Sequence, residues 1–111
     1  MGNRAVITTK DVNKSNANQK LGIYVHWYGA KEDVEKALKL AKERNIRKPF
    51  EDYSYFWARF TQAFADIITG YECGIGIDLV SNLDCYNGDN GVYYIDNDLN
   101  IVNHTDGSEL T

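Results

Sequence analysis

Tyr53, Phe56, Trp57, Phe60, Phe64, Ile67 and Ile68 constrain this chain more than any other feature of it. They fall at i, i+3, i+4, i+7, i+11, i+14 and i+15, the recurrence of a single helix face. So broad an aromatic stripe has to be covered, and the helix that carries it must be the keel of a packed domain. The spacing predicts a helix over 53–69, capped by Asp52 or Ser54 and ended by Gly70.

A second helix is predicted over Lys31–Asn45. Glu32, Asp33 and Glu35 open it and Lys42 and Arg44 close it, which suits the helix dipole. Val34, Ala37, Leu38 and Ala41 form its narrower stripe, Asn45 suits its C-terminal cap, and Pro49 stops continuation.

The remaining segments are short and β-rich. Residues 4–9 (RAVITT) give a first strand, and 22–28 (GIYVHWY) a second that Gly29 closes. In the second, Ile23, Val25 and Trp27 alternate with Tyr24, His26 and Tyr28. Residues 73–80 (CGIGIDLV) give a third strand, with Ile75, Ile77 and Leu79 on its buried side. The segments 91–95 and 99–103 flank Asp96-Asn97-Asp98 as a hairpin. Residues 10–21, rich in Lys and Asn, read as a mobile polar loop. At 111 residues the chain suits one domain, 1–111. Strands and helices do not alternate, so the expected class is α+β. An antiparallel five-stranded sheet, in the order ββααβββ, is expected to carry both helices on one face.

Charge is sharply divided. Residues 1–59 hold all 12 Lys and Arg against 7 acids, a net of +5. Residues 60–111 hold 9 acids and no Lys or Arg, a net of −9. A coherent acidic face would steer the protein toward a basic partner. Asp84, Asp89, Asp96 and Asp98 are the candidate contacts. The same acids oppose direct nucleic-acid binding, which would need Lys10, Lys14, Lys20, Arg44, Arg47 and Lys48 to dominate locally.

On the sheet face away from the helices, alternation predicts Tyr24, His26 and Tyr28 beside Gly74, Gly76 and Asp78, with Tyr93 or Tyr94 joining them. Glycines at alternate strand positions mark close approach by a backbone or ligand. Tyr24, Tyr28 and Tyr93 are candidate apolar anchors for a partner or a second copy of the chain, since tyrosine gives contact area at small entropy cost. Tyr24, His26, Gly74, Gly76 and Asp78 form a candidate ligand groove, in which a nucleotide signal is one occupant and a His26–Asp78 acid–base pair another use.

No catalytic motif accompanies these residues, and no cofactor is implied. Gly74-Ile75-Gly76 only begins a dinucleotide fingerprint and lies inside a strand. The loop LDCYNGDNG (83–91) fails the calcium pattern, because Tyr86, Gly88 and Ile95 stand where Asp or Asn, Asp or Asn, and Glu belong. Its two Asn-Gly pairs make it a turn, and no metal is expected. Cys73 and Cys85 match no redox or zinc spacing and are expected as reduced thiols. No run approaches the ~20 apolar residues of a membrane span, and the first residues lack a signal-peptide core. The expected compartment is the cytoplasm.

The segments MGNRAVIT (1–8), GIYVHWYG (22–29) and LDCYNGDNGVYYI (83–95) resemble a group of small phage- and prophage-encoded proteins. Members share MGNRAVI, a GIY-hydrophobic-HW strand and a D-C-x-N-G-D-N-G loop, and carry Asn where this chain has Tyr28. The resemblance spans most of the chain and transfers no catalytic residue. It implies an antagonist of host machinery, with anti-CRISPR proteins as the model class. Such a protein would act as a nucleic-acid mimic, blocking a basic surface of a bacterial defence complex in the host cytoplasm.

Overall fold

The computed structural model describes residues 2–69 and 74–111. The elements run β1 (Ala5–Thr9), β2 (Leu21–Val25), α1 (Lys31–Glu43), α2 (Tyr53–Ile67) and β3 (Ile75–Leu79), then a 3-10 turn at Val80–Asn82. β4 (Val92–Ile95), β5 (Ile101–Thr105) and a second 3-10 turn at Ser108–Leu110 complete the chain. The class is α+β with two helices, and the two 3-10 turns were not anticipated.

The five-stranded sheet has the order β3-β2-β1-β4-β5. It is mixed, not antiparallel as expected: β1 and β4 pair in parallel from Val6–Val92 to Thr9–Ile95, while the other pairings are antiparallel. Burial explains the difference. Every residue of β1 and β4 is buried, and strands buried on both faces are the ones that tolerate parallel pairing.

Both helices cover one face. Val34, Ala37, Leu38 and Ala41 of α1, with Phe56, Trp57, Phe60 and Phe64 of α2, pack against Ala5, Ile7, Ile23, Val25, Tyr93 and Ile95. The α2 stripe stacks along itself, with Phe56 and Phe60 rings 5.4 Å apart and Phe60 and Phe64 rings 5.9 Å apart. Full burial of each such ring contributes about 1.5–3 kcal/mol. Asp52 caps α2 by accepting the Tyr55 N–H. Beyond α1, Asn45 takes the left-handed conformation (φ 52°) that ends helices. The Gly70 expected to end α2 and the Cys73 expected in β3 lie outside the described residues.

The opposite face is not open. Val6, Val12, Ala17, Val80, Cys85, Val92 and Tyr94 form a second buried cluster there, flanked by Tyr24, Leu83 and Leu110. The 10–21 segment, expected to be mobile, is folded onto this face. Val12 and Ala17 are buried, the Asn13 and Asn16 side chains cap each other's backbone, and Lys20 pairs with Asp11 at 3.0 Å. Gly22 is what lets the Val80–Leu83 segment close down, because a Cβ there would meet Val80, Leu83 and the Ile7 carbonyl at about 3.1–3.2 Å.

Candidate functional site

Register decides which candidate residues meet. Tyr24 lies opposite Gly76 and Gly22 opposite Asp78, and the His26 N–H donates to the Gly74 carbonyl at 3.0 Å. Tyr24, Gly74, Gly76 and Asp78 therefore share the face away from the helices, as alternation predicts.

Tyr28 does not join them. β2 ends at Val25, and Gly29 sits so tightly against the Asn3 carbonyl and Ala5 that no side chain fits there. The chain turns just before it, with Tyr28 at φ 65°. Tyr28 packs on the helix-side core, its hydroxyl 2.8 Å from Thr69 Oγ1. Tyr93 also leaves the set. Pairing with Ile7 turns it toward the helices, where it is fully buried and donates to the Gly29 carbonyl at 2.8 Å. Its ring stacks on His104 at 4.0 Å, and burial pushes its hydroxyl up to about 12. It offers no surface to a partner. Tyr94 takes the far face, but it too is buried, with its hydroxyl bonded to Glu109.

The acid–base pairing of His26 with Asp78 is not formed. His26 stands across from Gly74, four residues from Asp78 along β3, a separation of roughly 13 Å at strand rise. Asp78 instead accepts the Leu79 N–H at 2.6 Å and the Asn82 amide at 3.1 Å.

What the fold does build is a shallow groove of about 270 Å³, lined by Tyr24, Gly76, Ile77, Asp78, Asn82, Leu83 and Asp84. Gly76 is its open floor, since a Cβ there would have no atom within 4 Å. Tyr24 and Leu83 supply apolar surface, and burial raises the Tyr24 hydroxyl. His26 and Gly74, expected in the groove, are not among its lining residues. Asn82, Leu83 and Asp84 are, because the 3-10 turn after β3 folds them back over β2.

The acidic half is not a coherent outward patch, and the expectation built on it fails at most of its named residues. Arg4 holds Asp89 through Nε at 2.7 Å and through its backbone N–H at 3.0 Å. The side-chain bond from Arg4 lowers the Asp89 carboxyl below its usual range. Arg4 Nη1 lies 3.8 Å from Asp84. Lys48 pairs with Asp98 at 2.8 Å, and Arg44 with Asp66 at 2.6 Å. Asp96 is a turn former, accepting the Asp98 and Asn100 N–H groups. Cations of the first half thus reach across to acids of the second. Asp84 remains 57% exposed in its side chain beside a loose pair, and among the described residues Asp78 accepts only neutral donors.

The 83–91 loop is a turn, and Asn87 is its buried hub. Its amide donates to the Asp84, Cys85 and Gly91 carbonyls and its oxygen accepts from Asp89 and Gly91. Gly88 and Gly91 take φ of 79° and 65°. Among the described residues no group of three or more His, Cys, Asp or Glu could hold a metal. Cys85 is buried in the second cluster, its thiol donating to the Val80 carbonyl, and burial pushes that thiol up to about 11, which suits a packing role. Among the described residues, no helix is long and apolar enough to cross a membrane.

Arg4 is the site residue that sequence reasoning missed. Its partner Asp89 is 85 positions away, and nothing local in RAVITT signals the pairing. No protein-family model, curated protein or solved structure matches this chain.

Proposed function

We propose that this is a non-enzymatic binding protein that takes a Lys or Arg side chain of a basic partner into the Tyr24–Asp78–Asp84 groove. The observation that carries the reading is the pair of carboxylates at the groove's rim: among the described residues Asp78 has no cation partner, and Asp84 is largely exposed. A guest's aliphatic stem would lie on Tyr24 and Leu83, over the open floor at Gly76, while its charged head reached the acids. A nucleotide signal in the same place would set its phosphates against both carboxylates, so the basic protein is the better occupant. The resemblance of segments 1–8, 22–29 and 83–95 to phage-encoded proteins supplies the partner class, a guide- or DNA-handling surface of a bacterial defence complex such as a CRISPR effector.

Interferometry against purified, guide-loaded CRISPR effectors at low and high salt tests this. Salt-sensitive binding that weakens at least tenfold in the Asp78→Asn/Asp84→Asn double variant is expected. No binding at low salt, or binding that the double variant leaves intact, overturns it.

A further inference from the structure

The sheet ends at β3 on one side and at β5 on the other, and the two edges are built differently. β5 carries a register shift between Tyr94 and Ile95 of its neighbour. β3 pairs with β2 in unbroken register from Leu21–Leu79 to Val25–Ile75. Its sequence, IGIDL, holds no Lys, Pro or bulge, and Asp78 is its one charged residue.

The backbone polarity of β3 follows from its flanking bonds. His26 N–H donates to Gly74 and Val80 N–H to Lys20, so in an antiparallel ladder the even residues of β3 bond inward to β2. The N–H and C=O groups of Ile75, Ile77 and Leu79 point out of the sheet. Leu79 N–H is already held by the Asp78 carboxylate. Among the described residues, the outward groups of Ile75 and Ile77 meet no strand.

We infer that β3 pairs antiparallel with β3 of a second copy of this chain, about a two-fold axis at Ile77. In that register the pentapeptide is self-complementary. Ile77 meets Ile77 of the second copy, Ile75 meets Leu79, and Gly76 meets Asp78. The side chain of Ile77, 44% exposed, would be covered by its own equivalent on the helix side. Each Asp78 would lie over the empty space at Gly76 of the other copy and not against another carboxylate. Ile77 N–H and C=O would bond reciprocally, and Ile75 N–H would donate to the Leu79 carbonyl opposite, leaving the Asp78–Leu79 bond undisturbed. A one-residue slip would turn the isoleucines against the opposite face, which excludes it. So short a ladder covers less than the ~800 Å² per partner of a standard interface, so the dimer is weak and forms at micromolar or higher concentration.

The second copy and the groove's guest would compete for the space over Gly76, so the inference is tested on the protein alone, without a basic partner, by sedimentation equilibrium from micromolar to millimolar concentration. The wild type is expected to move from monomer to dimer. Ile77→Lys, which places like charges at the axis, should weaken association at least tenfold, and Val102→Lys on β5 should not change it. Circular dichroism establishes that each variant is folded. Should Ile77→Lys not fold, hydrogen exchange of the wild type decides: the Ile75 and Ile77 amides should gain protection with concentration and the β5 amides should not. A wild type that stays monomeric, association that survives Ile77→Lys, or loss of it in Val102→Lys overturns the pairing.

Discussion

The two ends of this sheet are held by opposite means. At the β5 end the chain is locked by contacts that admit no alternative. Gly91 packs against the Thr105 carbonyl and Gly107 against the Cys85 carbonyl, each so closely that a Cβ would collide with backbone. Glu109 ties Tyr94 and Thr105 together. At the β3 end, among the described residues, the Asp78 carboxylate holds the Leu79 N–H and the Asn82 amide, and Gly76 has space around it. Stabilising contacts concentrated at one edge leave the other plain. Substitutions at the two ends should therefore differ sharply.

The largest effect is expected from Gly91→Ala. The position needs φ of 65° and its Cβ would enter the Thr105 carbonyl. The left-handed backbone alone costs about 1–2 kcal/mol, and the collision brings the loss to about 3 kcal/mol or more. Urea denaturation should show either a large fall in midpoint or no folded protein. A loss below about 1 kcal/mol would mean that the β5 end is not locked as described. Next comes Asn87→Ala, which strips the buried hub of the 83–91 turn and leaves the Asp89 and Gly91 N–H groups without their acceptor. About 1–3 kcal/mol should be lost by the same measurement, with the groove's affinity for a basic partner reduced through the displaced Asp84.

Arg4→Met sharpens the comparison through pH. Arg4 holds the Asp89 carboxyl low, so Asp89 contributes stability that is present above the ordinary carboxylate pKa of about 4 and is lost as pH falls through its depressed native value. Removing Arg4 returns Asp89 toward the ordinary range. Denaturation midpoints measured on the acid side should then fall less steeply below about pH 4 than in the wild type. Near neutral pH the variant should also bind a basic partner more tightly at low salt, because Asp84 and Asp89 are released. A curve parallel to the wild type's would deny the clamp a part in acid stability.

The sequence exposed the locked and the plain end unequally. Local patterns were readable: the α2 stripe, the α1 dipole charges, the turn at 83–91, and the Tyr24–Gly76–Asp78 face all follow from spacing within a few residues. The parallel β1–β4 pairing was not. A hydrophobic run such as AVI or VYYI fits a strand covered on both faces as well as one covered on one, and only the distant Val12, Ala17 and Cys85 make the difference. That ambiguity also misplaced Tyr93, since a one-residue choice of register exchanges it with Tyr94. The charge division was real as composition and misleading as geography. Side chains as far apart as Arg4 and Asp89, or Lys48 and Asp98, meet only after the chain has closed.

The smallest effect on stability is expected at the plain end, from Gly76→Ala. The added methyl meets no atom within 4 Å, and Gly76 is not among the residues with positive φ. Replacing glycine where alanine fits reduces the freedom of the unfolded chain, so a gain of about 0.4–1 kcal/mol is expected. The same methyl would rise from the floor of the groove, between Tyr24 and Asp78, where the guest side chain of the proposed partner would lie. Stability should therefore increase slightly while affinity for the partner falls. A variant that loses stability would show that this glycine is confined as Gly91 is. One that gains stability and keeps full affinity would move the guest away from the groove floor.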